Sequence, residues 1–408
     1  MLSLLAGGIT GLYTLRIQLP WEYHVQVETG ILKAKLGDLY SRWVGTRELL
    51  LYRHNPYGEQ TSHAIQMAFY GHIVTPNDQS NSPELDEQRF AYPVYVVFLL
   101  APTLYGTFSD AQRWVWLILA LLTATSVLFG LRALRWNPPR TVVVATIVFV
   151  LSSPQIMQGL QLRQLGLLVG FLLMLATWCI TRNRLGLAGA GLAVSTIKPQ
   201  MMVFALLWFL VWTIGDWRRR WRLLASFAVT LAILVGAGEI VLPGWLRFFF
   251  EGLIAYRRYN HPMSLLDVML GDRAGSIGAG LMMLCLFLFA WQNRKHAGDS
   301  REFVTTLSLV LIGTSLSMSL IPIFNQVLLL LPVIILLRDW ASLPRATRLI
   351  FITLVIWPWF ASLILLLWFS PHSAALGHLY LTPSYVSLTM PFLLPALLLR
   401  RKPLPSQQ

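Results

Sequence analysis

The chain has 408 residues, of which 56% are hydrophobic and 12% charged, with a mean hydropathy of +0.60 and a formal net charge of +14. Soluble domains carry about 25% charged residues, so this composition excludes a water-soluble enzyme and identifies a polytopic membrane protein. The positive charge gathers in short clusters between apolar runs, where retention of cytoplasmic loops accounts for it, and nucleic acid is excluded as a partner.

The first apolar run covers residues 2–19. It lacks a basic n-region and a small-residue cleavage site, so it is expected to be a retained span. A polar and aromatic stretch follows, from Gly37 to Tyr57. Asp38 opens a helix there, with Leu39, Trp43, Val44, Leu50 and Leu51 on an apolar stripe. Ser41, Arg42, Arg47, Glu48 and Arg53 take the other positions. Asn55-Pro56-Tyr57-Gly58 stops the helix, because the residue before a proline is pushed out of the α region. An amphipathic helix headed by a carboxylate at the membrane edge is expected to be the catalytic loop of a membrane enzyme.

Residues 58–90 are rich in Asn, Ser, Gln, Asp and Glu and read as an external loop. Residues 91–107 are apolar but interrupted by Pro93 and Pro102. They are expected to lie in the outer leaflet within a large first external loop, residues 20–112. The alternative is that they span and the first run does not.

Further apolar runs fall near 113–131, 141–157, 165–181, 185–197, 199–214, 223–242, 276–291, 303–321, 327–337, 348–370 and 385–399. Basic clusters lie around Arg132, Arg182, Arg218–Arg222, Arg294, Arg338 and Arg400. Placing all of them inside gives an all-α bundle of about 12 transmembrane helices in one integral-membrane domain, with both termini cytoplasmic. Residues 243–275 then form a second large external loop. The two cysteines, Cys179 and Cys285, both lie inside apolar runs, which argues against a disulfide framework.

The segment 182–222 turns at Ile197-Lys198-Pro199-Gln200. Its arms of about 13 and about 16 residues reach roughly 20 and 24 Å, against a hydrocarbon core of about 30 Å. Lys198 is therefore expected below the outer surface, and a polar turn at that depth implies a protein-lined cavity.

Several residues could carry chemistry. Asp38 can act as a general base on a sugar hydroxyl or serve as a helix N-cap. Lys198 can pair with the phosphate of a lipid-linked substrate or snorkel to the interface. Gln164 and its neighbours can bind sugar hydroxyls or bond adjacent helices. Arg257, Arg258 and Arg273 run against the positive-inside trend; they suit a phosphate or anionic headgroups. Tyr57, Asn260, Asn325, Gln326, His372 and His378 complete the outward-facing polar set. No His-Glu-x-x-His spacing or phosphate-cradling glycine loop is present, so no metal, cofactor or nucleotide donor is called for.

The ordered motifs resemble glycosyltransferase family 87, within the GT-C superfamily of polytopic enzymes. The resemblance rests on Asp38-Leu39-Tyr40 through Asn55-Pro56-Tyr57, then Tyr92-Pro93. Arg163-Gln164-Leu165-Gly166 follows, with Arg163 where the family has glycine. Leu187-Ala188-Gly189 through Lys198-Pro199 and Asn325-Gln326 through Pro332 complete it. The resemblance implies an inverting enzyme that takes a sugar, typically mannose, from a polyprenyl-phosphate carrier. The acceptor is a lipid or glycan at the outer face of the plasma membrane, and membrane lipids surround the site. Asp38 matches the family's base. Lys198, Arg257, Arg258 and Arg273 are then expected at the donor phosphate, and Tyr57, Gln164, Asn260, Asn325 and Gln326 at sugar or acceptor. A flippase of lipid-linked sugars, an assembly protein, and an O-antigen polymerase or ligase are the rival readings.

Overall fold

The computed structural model describes residues 2–20, 36–75, 87–259, 264–318, 323–368 and 390–400. Among them there is no β-strand, and every apolar run read from the sequence carries helix in its described part. Helix α1 (Leu2–Tyr13) continues through a π turn at Thr14–Gln18. Helices α2 (Leu39–Tyr52) and α3 (Glu59–Tyr70) follow, then the short α4 (Val96–Leu100), which tightens into a 3-10 turn at Ala101–Tyr105. The helical residues of 96–105 reach only about 15 Å, half the depth of a hydrocarbon core.

Helix α5 (Phe108–Ala133) starts at a capping box between Thr107 and Asp110. Helices α6 (Arg140–Leu151) and α7 (Pro154–Gln161) meet at an angle of 59°. Pro154 causes the break, because Ser153 is held extended before it. Then come α8 (Gly166–Thr181), α9 (Leu185–Ser195), α10 (Pro199–Gly215), α11 (Trp217–Val241) and α12 (Trp245–Tyr259). Helices α13 (Leu265–Leu270), α14 (Asp272–Asn293) and α15 (Arg301–Ser317) lead to a 3-10 segment, Ile323–Leu329. Helices α16 (Leu330–Arg338), α17 (Arg345–Trp368) and α18 (Met390–Arg400) close the described chain.

Among the described residues, four helices are long and apolar enough to cross a membrane: α5, α11, α14 and the Arg345–Leu367 stretch of α17. The bent pair α6 and α7 makes up to 5. The remaining apolar helices are shorter. Helices α8, α9 and α10 have 16, 11 and 17 residues, which at 1.5 Å per residue is about 24, 17 and 26 Å. They gather around the core, where Leu167, Val169, Leu192, Met201, Ala205 and Trp208 are all buried. Small residues bring α9 onto α11. A Cβ on Gly189 would stand 2.2 Å from the Leu223 carbonyl oxygen, so only glycine permits this backbone contact.

Three sequence expectations change. The apolar face of α2 buries Leu39, Trp43 and Val44 as expected but departs in its last turn, where Leu49 is 1% exposed and Leu51 58% exposed. The polar positions Ser41, Thr46 and Glu48 are buried too, because α2 is covered on several sides. Residues 58–90 are not simply a loop. Helix α3 buries Ile65 and Phe69 against Trp43 and Val44 of α2, forming a small outer layer on the start of α5. Residues 243–275 likewise carry α12 and α13, with Trp245 and Phe249 buried one helical turn apart.

Candidate active site

Four stretches far apart in sequence converge on Lys198. The first is the start of α2. Gly37 has φ +66°, a left-handed conformation that favours glycine, and its Cα faces the Leu162 carbonyl. This seats Asp38 beside the corner between α7 and α8. Asp38 occupies the N-cap position of α2, yet its side chain makes no capping bond. Its carboxylate accepts instead from the Gln164 amide, through Nε2 and Oδ2.

The α7–α8 corner explains why Gln164 can reach. Arg163 adopts φ +53°, and the Gln164 N–H returns to the Gly159 carbonyl at 2.8 Å, closing a helix C-terminus of the left-handed type. A glycine at position 163 would hold this conformation without a Cβ penalty. The Gln164 side chain then points inward, 3% exposed.

The third stretch is the turn between α9 and α10. Ser195, Thr196 and Ile197 end α9, and Pro199 starts α10 with its ring at the first helical position. Lys198, between them, is 6% exposed. Its Nζ donates to Gln164 Oε1 at 3.2 Å and to Asn325 Oδ1 at 3.1 Å. The ammonium also lies 4.5 Å from the centre of the Phe324 ring. Lys198 is buried within the protein, with its amine held by side chains of other elements. Gly166 leaves room for it: a Cβ at that position would stand 3.3 Å from Lys198 Nζ.

The fourth stretch is the 3-10 segment that presents Asn325 and Phe324. It is held by amides of α7. Gln158 Oε1 accepts from the Phe324 N–H at 3.3 Å, and Gln155 Nε2 donates to Gln326 Oε1 at 3.4 Å. Gln155, Gln158 and Gln326 thus bond neighbouring elements, while Gln164 and Asn325 meet the lysine. Between Asp38 and Lys198 the structure holds the Gln164 side chain in direct contact with both, where the sequence led us to expect an open cavity.

The segment before α4 forms a wall. Tyr57 donates its hydroxyl to the Tyr92 carbonyl at 2.6 Å and packs edge-on against Phe90 and Phe249. Burial raises the Tyr57 phenol above its ordinary range, so it stays neutral. Its hydroxyl braces the loop instead of reaching Lys198. Tyr95 donates to the Thr196 carbonyl at 3.0 Å, which fixes the turn that carries Lys198. Arg42, one turn after Asp38 on α2, lies over the buried Tyr92 ring with its guanidinium carbon 4.4 Å from the centroid. The sequence gives Arg42 no role beyond the polar side of α2, although its i, i+4 spacing from Asp38 is the signal that links them.

Of the remaining expected site residues, only Arg273 has a described side chain. Arg273 is exposed in the first turn of α14. Arg257 and Arg258 fall on α12, but their side chains lie outside the described residues, as do Asn260, His372 and His378.

Comparison with known proteins adds one finding. The profile of Glycosyltransferase family 87 matches residues 90–320, more than half of the chain. No curated protein and no solved structure matches. The matched stretch includes Tyr92, Gln164 and Lys198; Asp38, Tyr57, Asn325 and Gln326 lie outside it and join it through the contacts above. With helices of spanning length and this match, the chain is a membrane glycosyltransferase that belongs to family 87.

Proposed function

We propose that the enzyme is an inverting GT-C-type transferase that moves a hexose, with mannose as the first candidate, from a polyprenyl-phosphate donor to a lipid or glycan acceptor. The site faces the extracytoplasmic side of the plasma membrane, both termini are cytoplasmic, and the shorter helices complete a bundle of about 12 segments. The observation that carries this reading is the buried Lys198 side chain. Among the described residues its hydrogen-bond partners are two neutral amides, and the nearest linked carboxylate, Asp38, is one glutamine away. A buried cation without a contacting anion is unfavourable by several kcal/mol. A phosphate oxygen arriving beside it offsets that penalty, whereas a neutral substrate does not.

In the proposed step Asp38 takes the proton of the acceptor hydroxyl. The acceptor oxygen bonds to the anomeric carbon as the bond from that carbon to the phosphate oxygen breaks. The electron pair stays on the phosphate, and Lys198 stabilises the growing charge. A single displacement inverts the anomeric centre. Gln164 and Asn325 orient Lys198 and offer amide groups to the sugar. Arg257, Arg258 and Arg273 are further proposed contacts of donor phosphate or headgroup, and Asn260 and Gln326 of sugar or acceptor.

The test is transfer from radiolabelled polyprenyl-phosphate mannose into membrane extract by the purified protein. Asp38→Asn is expected to lose about 10²- to 10⁴-fold in rate, with its elution profile and melting temperature retained. Undiminished transfer by this variant removes Asp38 from its role. Transfer from a nucleotide sugar, and from no polyprenyl-linked one, overturns the donor class.

A further inference from the structure

Resting on that reading, we infer that Arg42, held against Tyr92, is the second cation of the donor-phosphate subsite and acts with Lys198. Two observations place it there. Arg42 follows Asp38 by one helical turn on α2, and its guanidinium stacks on a ring that is 4% exposed, from the loop that leads into α4. Asp38 is in turn joined to Lys198 through the Gln164 side chain. Asp38, Arg42 and Lys198 therefore belong to one cluster, although they come from two distant parts of the chain.

Charge counting shows what such a group fits. A polyprenyl-phosphate sugar is a phosphodiester with one negative charge. Together with ionised Asp38 it gives two negative charges, matched by Lys198 and Arg42. During transfer Asp38 takes the acceptor proton and becomes neutral, while the phosphate becomes a monoester that approaches two negative charges near pH 7. The total is again matched by the two cations. With Lys198 alone, one negative charge would stay uncompensated in a buried site before and after the step, which is unfavourable. The planar guanidinium also suits a phosphate better than an ammonium does, since it grips two oxygens at once. The stack on Tyr92 keeps it in place with less rotamer freedom to lose on binding.

The experiment compares binding of a polyprenyl phosphate with binding of the uncharged polyprenol, using the full-length purified protein. The parent is expected to prefer the phosphate. Arg42→Gln is expected to weaken phosphate binding about 10-fold or more and to leave polyprenol binding unchanged. Arg113→Gln, an exposed cation paired with Asp110 at the start of α5, is expected to bind both as the parent does. Equal preference in the parent and Arg42→Gln overturns the inference while the donor assignment stands. Equal losses for phosphate and polyprenol show a structural role and also overturn it. A parent that does not distinguish the two ligands brings down the donor assignment, and the inference with it. Should Arg42→Gln fail to fold, Arg42→Lys carries the test. It keeps the charge without the fork, and several-fold weaker phosphate binding is expected; unchanged binding counts against Arg42.

Discussion

At the scale of single residues, the arrangement around Lys198 depends on what is missing from Gly166. A methyl group there would press on Lys198 Nζ and Met201 Sδ, each 3.3 Å from the ideal Cβ, and on Asn325 Oδ1 at 3.6 Å. Contacts of 3.3 Å require the neighbours to yield by tenths of an ångström, and the lysine is the longest and most easily displaced of them. Gly166 is also the first residue of α8, so alanine gains up to about 1 kcal/mol of helix propensity. Gly166→Ala is therefore expected to keep or raise the thermal midpoint while raising the donor KM several-fold. An unchanged KM would mean that the ammonium position is not critical. The same scale shows why Asp38 is ambiguous in sequence. Gly-Asp before an amphipathic run signals a cap more readily than a base. In the structure the Asp38 side chain makes no capping bond and meets Gln164, 126 residues away, which belongs to no local pattern.

At the scale of elements, the corner between α7 and α8 carries strain that the sequence makes visible only by comparison. Arg163 sits at φ +53°, and its Nη1 donates back to the Gln161 carbonyl. An L side chain in the left-handed region is unfavourable by about 1 kcal/mol or more, which is why glycine suits this position. Arg163→Gly is expected to leave activity intact and to raise stability by up to about 1 kcal/mol, read as a higher thermal midpoint. A lower midpoint would show that the arginine contacts outweigh the strain. Much at this scale was legible from residues alone. The apolar runs, the turn at Lys198-Pro199 and the start of α2 at Leu39 all follow from hydropathy, proline chemistry and capping. Helix α3 did not show, because its polar composition masks the buried set Thr61, Ile65 and Phe69, whose i, i+4 spacing is helical. The last turn of α2 departs from the sequence pattern for a related reason: on a helix covered from several sides, polarity does not mark the exposed face.

For the whole molecule, the far end from the candidate site is pinned by a residue that looks like an ordinary topological charge. Arg218, Arg219 and Arg222 are exposed, but Arg220 is 6% exposed. Its guanidinium stacks on Trp212 at 4.1 Å and donates to the carbonyls of Trp212, Arg294, Lys295 and His296 at 2.6 to 3.2 Å. This ties the α10–α11 corner to the loop between α14 and α15. Arg220→Met removes the Arg220 donors from all of these carbonyls, leaving His296 its bond from Trp212 Nε1, and a loss of about 2–4 kcal/mol is expected. The readout is a lower thermal midpoint with unaltered transfer per folded molecule; an unchanged midpoint would show that other contacts hold the corner. No sequence pattern separates Arg220 from its three neighbours, because three of the four carbonyls it serves belong to a loop more than 70 residues further on.

The family-matched stretch begins after Asp38 and ends before Asn325. A chimera that keeps this middle portion and borrows foreign flanks would, under the proposed roles, retain Lys198 yet lose Arg42 and Asn325 beside the phosphate and the carboxylate that receives the acceptor's proton. Such hybrids ask which flank decides who the recipient of the sugar is.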